Sequence, residues 1–101
     1  MKKEASNSAR INAVGTIVDT TQAMLGAAHM QNWDWLARLE EQRNEMIKMT
    51  FNEPPGLDEA ANVAAGIEKI IAIDEKITEI CKTARNDAAA NLHQLRNTKQ
   101  A

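Results

Sequence analysis

From Leu57 to Asn97 the chain carries no proline and only one glycine, Gly66. Directly before this stretch lies Asn52-Glu53-Pro54-Pro55-Gly56. Consecutive prolines cannot continue a helix, and the residue before a proline avoids helical angles. Any helix arriving from upstream must therefore stop here. The stretch beyond has a single period. Its apolar row reads Leu57, Ala60, Ala64, Ile67, Ile70/Ile71, Asp74, Ile77, Ile80/Cys81, Ala84, Ala88, Leu92 and Leu95, in steps of three and four. That is the signature of one helix over 57–97 with one apolar side.

Upstream, residues 1–7 have no periodicity and read as a disordered tail. Ser8 can cap a first helix over 8–30, whose stripe is Ile11, Val14, Val18, Thr21, Leu25 and Ala28, widened by Ile17 and Met24. Gly15 and Gly26 either weaken this helix by roughly 1 kcal/mol each relative to alanine or allow close helix approach. Asn32 is a good N-cap for a second helix over 33–51, and Asp34 suits its first turn. Leu36, Leu39, Arg43, Met46, Ile47 and Thr50 form its stripe. Tyrosine is absent and phenylalanine occurs once, and no segment alternates as a strand does. The expected fold is all-α: antiparallel, three-helix, bundle-like hairpins with a long C-terminal third helix, in a single domain over 1–101.

At 1.5 Å per residue, helices of roughly 22, 19 and 41 residues span about 33, 28 and 60 Å. The shorter pair can cover only part of the third helix. Either the third helix folds back near Asn86-Asp87, or its far end stands alone. With no glycine or proline there, a straight helix is expected. Ile80, Ala84, Ala88, Leu92 and Leu95 then form an apolar row without an internal neighbour, suited to a partner helix.

Charge excludes several functions. Twelve basic residues stand against 14 acidic ones, for a net charge of -2. Residues 34–75 hold 10 acids and 4 bases, whereas 76–101 hold 5 bases and 2 acids. No basic face suits a nucleic acid, and no apolar run approaches the length of a membrane span or a secretory signal. A lone Cys81 makes neither an internal disulfide nor a thiolate zinc site. His29 and His93 lie on different helices without a ligand partner at helical spacing. Glu40-Glu41 and Asp58-Glu59 are adjacent pairs, which diverge by 100° on a helix and cannot converge on one substrate. There is no phosphate loop or nucleophile elbow. The expectation is a cytoplasmic protein that is not an enzyme and takes no cofactor and no metal.

Two features interrupt the pattern. Arg43 and Asp74 occupy seam positions where apolar residues are expected. They either pair across the second and third helices or lie at the seam edge with their heads in water. Trp33 joins the stripe of the second helix and is expected as a core anchor. Trp35 lies at its flank, where edge packing and partner contact are both open.

These residues carry a resemblance. Asn32-Trp33-Asp34, then Leu36, Leu39-Glu40-x-x-Arg43 and Ile47, resembles the second helix of the FliT family of flagellar export chaperones. Pro54-Pro55-Gly56 and Ile70-Ile71-x-x-Asp74-x-x-Ile77 extend the likeness, which covers roughly residues 14 to 97. The resemblance implies a cytoplasmic helical chaperone whose client is the filament cap protein FliD, escorted to the flagellar type III export apparatus. It also implies docking to export components and, in some members, to a flagellar transcription regulator. Members often carry a further C-terminal helix over the client surface. This chain ends at Ala101, a departure that leaves self-inhibition and the regulator role open. Other readings are a dimerisation module whose long helix pairs as a coiled coil, making a homodimer, and an adaptor for a transcription regulator.

Overall fold

The computed structural model describes the backbone of residues 2–100 and the side chains of residues 9–97. It consists of α1 (Lys2–His29), α2 (Trp33–Thr50) and α3 (Ala60–Gln100), with no strand among the described residues. α1 begins at Lys2, not at Ser8, so the segment expected as a tail is helical as far as it is described. Lys, Glu and Ala are good helix formers, and neither Gly nor Pro interrupts the run.

The α1–α2 corner follows from local chemistry. Gln31 adopts a left-handed φ of 57°, the backbone reversal that ends many helices. The Gln31 N–H donates to the Ala28 carbonyl at 3.0 Å and the Asn32 N–H to the Ala27 carbonyl at 2.9 Å, which satisfies the last carbonyls of α1. The Asn32 side chain then caps α2, accepting from the Trp35 N–H at 3.2 Å. Pro54-Pro55-Gly56 ends the next segment, and α3 starts three residues later than the pattern suggested.

Val14 of α1 packs on Gly66 of α3, and Met24 and Ala28 cluster with Ile73 and Ile77. The contacts advance together along both helices, so α1 and α3 run parallel and α2 runs antiparallel to both. α1 is the central helix. It packs on α2 and on α3, whereas no Cα of α2 comes within 8 Å of one in α3 among the described residues. This explains the width of the α1 stripe: Val14, Ile17, Thr21, Met24, Ala27 and Ala28 are all buried because α1 has neighbours on two sides. α2 contributes Leu36 and Leu39.

The face that α3 buries differs from the expected row in the first half of the helix and joins it at Ile77. Val63, Gly66, Ile73 and Ile77 are inside, as is Glu59 just ahead of the helix, while Ala60, Ala64, Ile67 and Ile71, and Leu57 before the helix, are exposed. Both rows have helical spacing and lie about one residue apart, so periodicity alone does not choose between them. Close approach chooses. A Cβ on Gly66 would sit 2.2 Å from Val14 Cγ1, whereas one on Gly15 or Gly26 would meet nothing within 4 Å. The glycine that brings helices together is therefore Gly66, not Gly15 or Gly26.

α3 is unbroken through Asn86-Asp87. His29, the last residue of α1, lines a concavity with Ala72, Lys76 and Ile80 of α3. Residues 82–100 thus extend about 28 Å past the end of the α1–α2 hairpin. The molecule measures 74 × 20 × 19 Å.

Candidate functional site

The exposed arm of α3 grows directly out of its buried face. Ile80 and Cys81 pack against the core cluster, and Ala84 is half-buried. Ala88 is exposed, Leu92 is 51 % exposed and Leu95 is 64 % exposed. The expected row is therefore graded. Its first members belong to the edge of the protein's own core, and only Ala88, Leu92 and Leu95 lie open.

The two tryptophans do not share a surface. Trp33 is 41 % exposed and is not the core anchor expected of it. It opens α2 at the end of the hairpin, where α3 does not approach closely enough to cover it. Helical spacing places Trp33 on the row of Glu40, which lines a groove of about 260 Å³ between α2 and α3 floored by Met24 and Ile77. Trp35, 48 % exposed, lies on the row of Met46 and Met49. Those methionines line a different concavity of about 460 Å³, between α1 and α2, with Ala9, Ala13 and Thr16.

Two ion pairs fasten the part of α3 from which the arm projects to α1 and α2. Arg43 Nη1 donates to Asp74 Oδ1 at 2.7 Å, linking helices whose backbones stay apart. The same nitrogen donates at 3.3 Å to the hydroxyl of Thr21, which is fully buried and itself donates to the Ile17 carbonyl at 2.7 Å. One guanidinium thus ties all three helices. Arg43 Nε has no partner, and the Asp74 side chain is 39 % exposed. Arg43→Ala is expected to destabilise by about 1–2 kcal/mol, because Thr21 loses a donor while Asp74 can turn to water. Joint replacement of Arg43 and Asp74 by packed apolar residues should cost less. Denaturant midpoints check both; equal, small losses would mean that the pair is a solvated edge.

The second pair was not apparent in the sequence. Arg10 Nη1 bonds Glu59 Oε1, and Glu59 is 2 % exposed. Glu59 Oε1 also accepts from the Gly56 N–H at 2.8 Å. Arg10 Nε donates to the Thr50 carbonyl at 3.3 Å and Nη1 to that of Pro54 at 3.4 Å. A single α1 side chain therefore fastens the end of α2, the Pro-Pro-Gly loop and the start of α3. Its sequence signal is faint. Arg10 stands one residue ahead of the first apolar position, and Glu59 reads as an ordinary first-turn acid.

Among the described residues no cluster of His, Cys, Asp and Glu could hold a metal ion, and no helix is long and apolar enough to cross a membrane. What the geometry offers is an apolar arm on a braced helical body. A family profile described as "Flagellar protein FliT" matches residues 11–101. The chain belongs to the FliT family. Comparison with curated proteins and with solved structures returns no match. The profile covers α2, α3 with its overhang, and α1 from Ile11 onward, so the arm lies within the FliT-family region. Arg43, Asp74 and Glu59 lie inside that match, while Arg10 stands one residue ahead of it. FliT is a family of flagellar chaperones, and the all-helical body of this member suits that role.

Proposed function

We propose that this FliT-family chain is a cytoplasmic export chaperone that binds the flagellar filament cap protein and escorts it to the type III export apparatus. It works by binding, with no chemical step. The observation that supports this reading is the overhang: Ala88, Leu92 and Leu95 continue the core line of α3 past the end of the hairpin and stand exposed. Exposed apolar rows of this kind favour contact with a partner. Alanine at the centre of the row lets a partner helix come close, and the leucines act as its anchors. Trp33 borders the same side of the molecule as the α2–α3 groove. Trp35 faces the other flank of α2, which suits a separate contact, such as one with an export component or a transcription regulator.

The test uses the C-terminal segment of the cap protein as ligand. Changing Leu92 and Leu95 to Asp should weaken binding by at least about 1–3 kcal/mol, the contribution of a lost apolar anchor. Helicity and the melting transition should stay nearly unchanged, since both residues lie outside the core. Unaltered binding by the double variant would place the client elsewhere. A wild-type chain that does not capture the segment would overturn the reading.

A further inference from the structure

The groove between α2 and α3 holds about 260 Å³. A helix with its side chains is about 10–12 Å across, so the groove admits one side chain of a partner and not its backbone. It exists because α1 keeps the other two helices apart, with no Cα of α2 within 8 Å of one in α3 among the described residues. Met24, Leu36 and Ile77 line it and are buried, which makes an apolar floor. Glu40, Asp74 and Thr78 line it and stand more open, which makes a polar rim. The charge of that rim is unbalanced. Arg43 is engaged by Asp74 and Thr21, while Glu40 makes no ion pair among the described residues. Asp74 and Thr78 also border a concavity shared with Glu75 and Glu79, which adds acids and no base on that side.

An apolar floor under two carboxylates complements a long basic side chain, whose stem is apolar and whose head is a cation. We propose that the groove seats one lysine or arginine of a client helix, with its stem on Met24, Leu36 and Ile77 and its head between Glu40 and Asp74. The pocket rests on the overhang reading: the open row of α3 anchors the helix, and the groove selects it. Groove and row are continuous. Asp74, Thr78, Cys81, Arg85, Ala88 and Leu92 follow one another in steps of four and three, so they share one side of α3. α2 walls the first half of this track as far as Trp33, and the second half is open. The client helix therefore carries its basic anchor about 14 residues, or about 21 Å, from the apolar side chain that meets Leu92. An acidic side chain in that place would face like charge, and an apolar one would cover the carboxylates without pairing them. Beyond the groove the track turns basic at Arg85 and Arg96. A helix docked in reverse would bring its cation against these, so charge also sets direction.

The probes are three synthetic amphipathic peptides that share one alanine–leucine face. They differ at a single position, about 14 residues from a leucine, which holds lysine, methionine or glutamate. Titration calorimetry against the full chain should show the lysine peptide binding at least about tenfold more tightly than the methionine peptide. The glutamate peptide should bind most weakly, and added salt should narrow the differences. Glu40→Gln should remove most of the preference for lysine, and Glu40→Lys should reverse it in favour of glutamate. Both variants should keep the wild-type circular dichroism spectrum, because Glu40 is exposed. Equal binding of the lysine and methionine peptides would overturn the proposal. So would a lysine preference that survives Glu40→Lys, or failure of all three peptides to bind. The cap-protein segment is titrated in parallel. If the wild-type chain ignores it but binds the lysine peptide as expected, the cap-protein reading falls and the groove assignment stands. If it binds the wild-type chain and Glu40→Lys equally well, the groove assignment falls alone.

Discussion

Replacing Arg10 by alanine is expected to destabilise this chain by about 3–4 kcal/mol, the largest loss expected from any single polar change in it. The reason is what the substitution leaves behind. The Glu59 side chain is 3 % exposed and its Oε2 already lacks a partner. Without Arg10 the carboxylate keeps only the Gly56 N–H, and a buried charge so poorly compensated is costly. The Thr50 and Pro54 carbonyls lose their donor in the same step. Arg10→Met combined with Glu59→Leu removes both charges and should recover most of the loss. Urea midpoints at constant slope measure each variant. If Arg10→Ala costs no more than Arg43→Ala, the clasp is not the stronger of the two pairs.

Gly66→Val should cost about 2–3 kcal/mol through overpacking. The new Cβ would lie 2.2 Å from Val14 Cγ1, and Val14 is buried and stiff about its first side-chain torsion. The α1–α3 seam must then open. A paired Val14→Ala change returns the space and should restore much of the stability. Gly15→Ala and Gly26→Ala should instead stabilise by about 0.5–1 kcal/mol, because nothing lies within 4 Å of either added methyl. Thermal melts of the three glycine variants distinguish a seam glycine from two surface ones. Equal behaviour at all three positions would refute the packing described at Gly66.

Much of the architecture was legible in the sequence because it depends on local rules. Pro54-Pro55-Gly56 stops a helix in any context, and Asn32 caps the next one through its own side chain. The overhang is a matter of length alone, since two short helices cannot cover a long one. Arg43 and Asp74 were visible as candidates because each interrupts an apolar row, and they meet at 2.7 Å. Arg10 and Glu59 interrupt nothing. Each looks like an ordinary surface charge beside a helix start, so their burial could not be read from spacing. The tryptophans misled in the opposite direction. Trp33 has the right spacing for the core but sits at the hairpin end, where α3 stays too far away to cover it.

Three helices, the turns between them and the overhang of the third are settled within the chain's own local sequence. They are consequences of backbone angles, capping and rise per residue, which act within a few positions of one another. Packing in three dimensions settled the rest: that α1 lies between the other two helices, and which of two neighbouring rows α3 turns inward. Both rows are periodic, and they differ in what they meet across the seam. The row that wins places a glycine against Val14 and a carboxylate against Arg10. The row that loses leaves Ile67 and Ile71 facing outward. Complementarity between segments far apart in the chain made that choice, and no local pattern contains it.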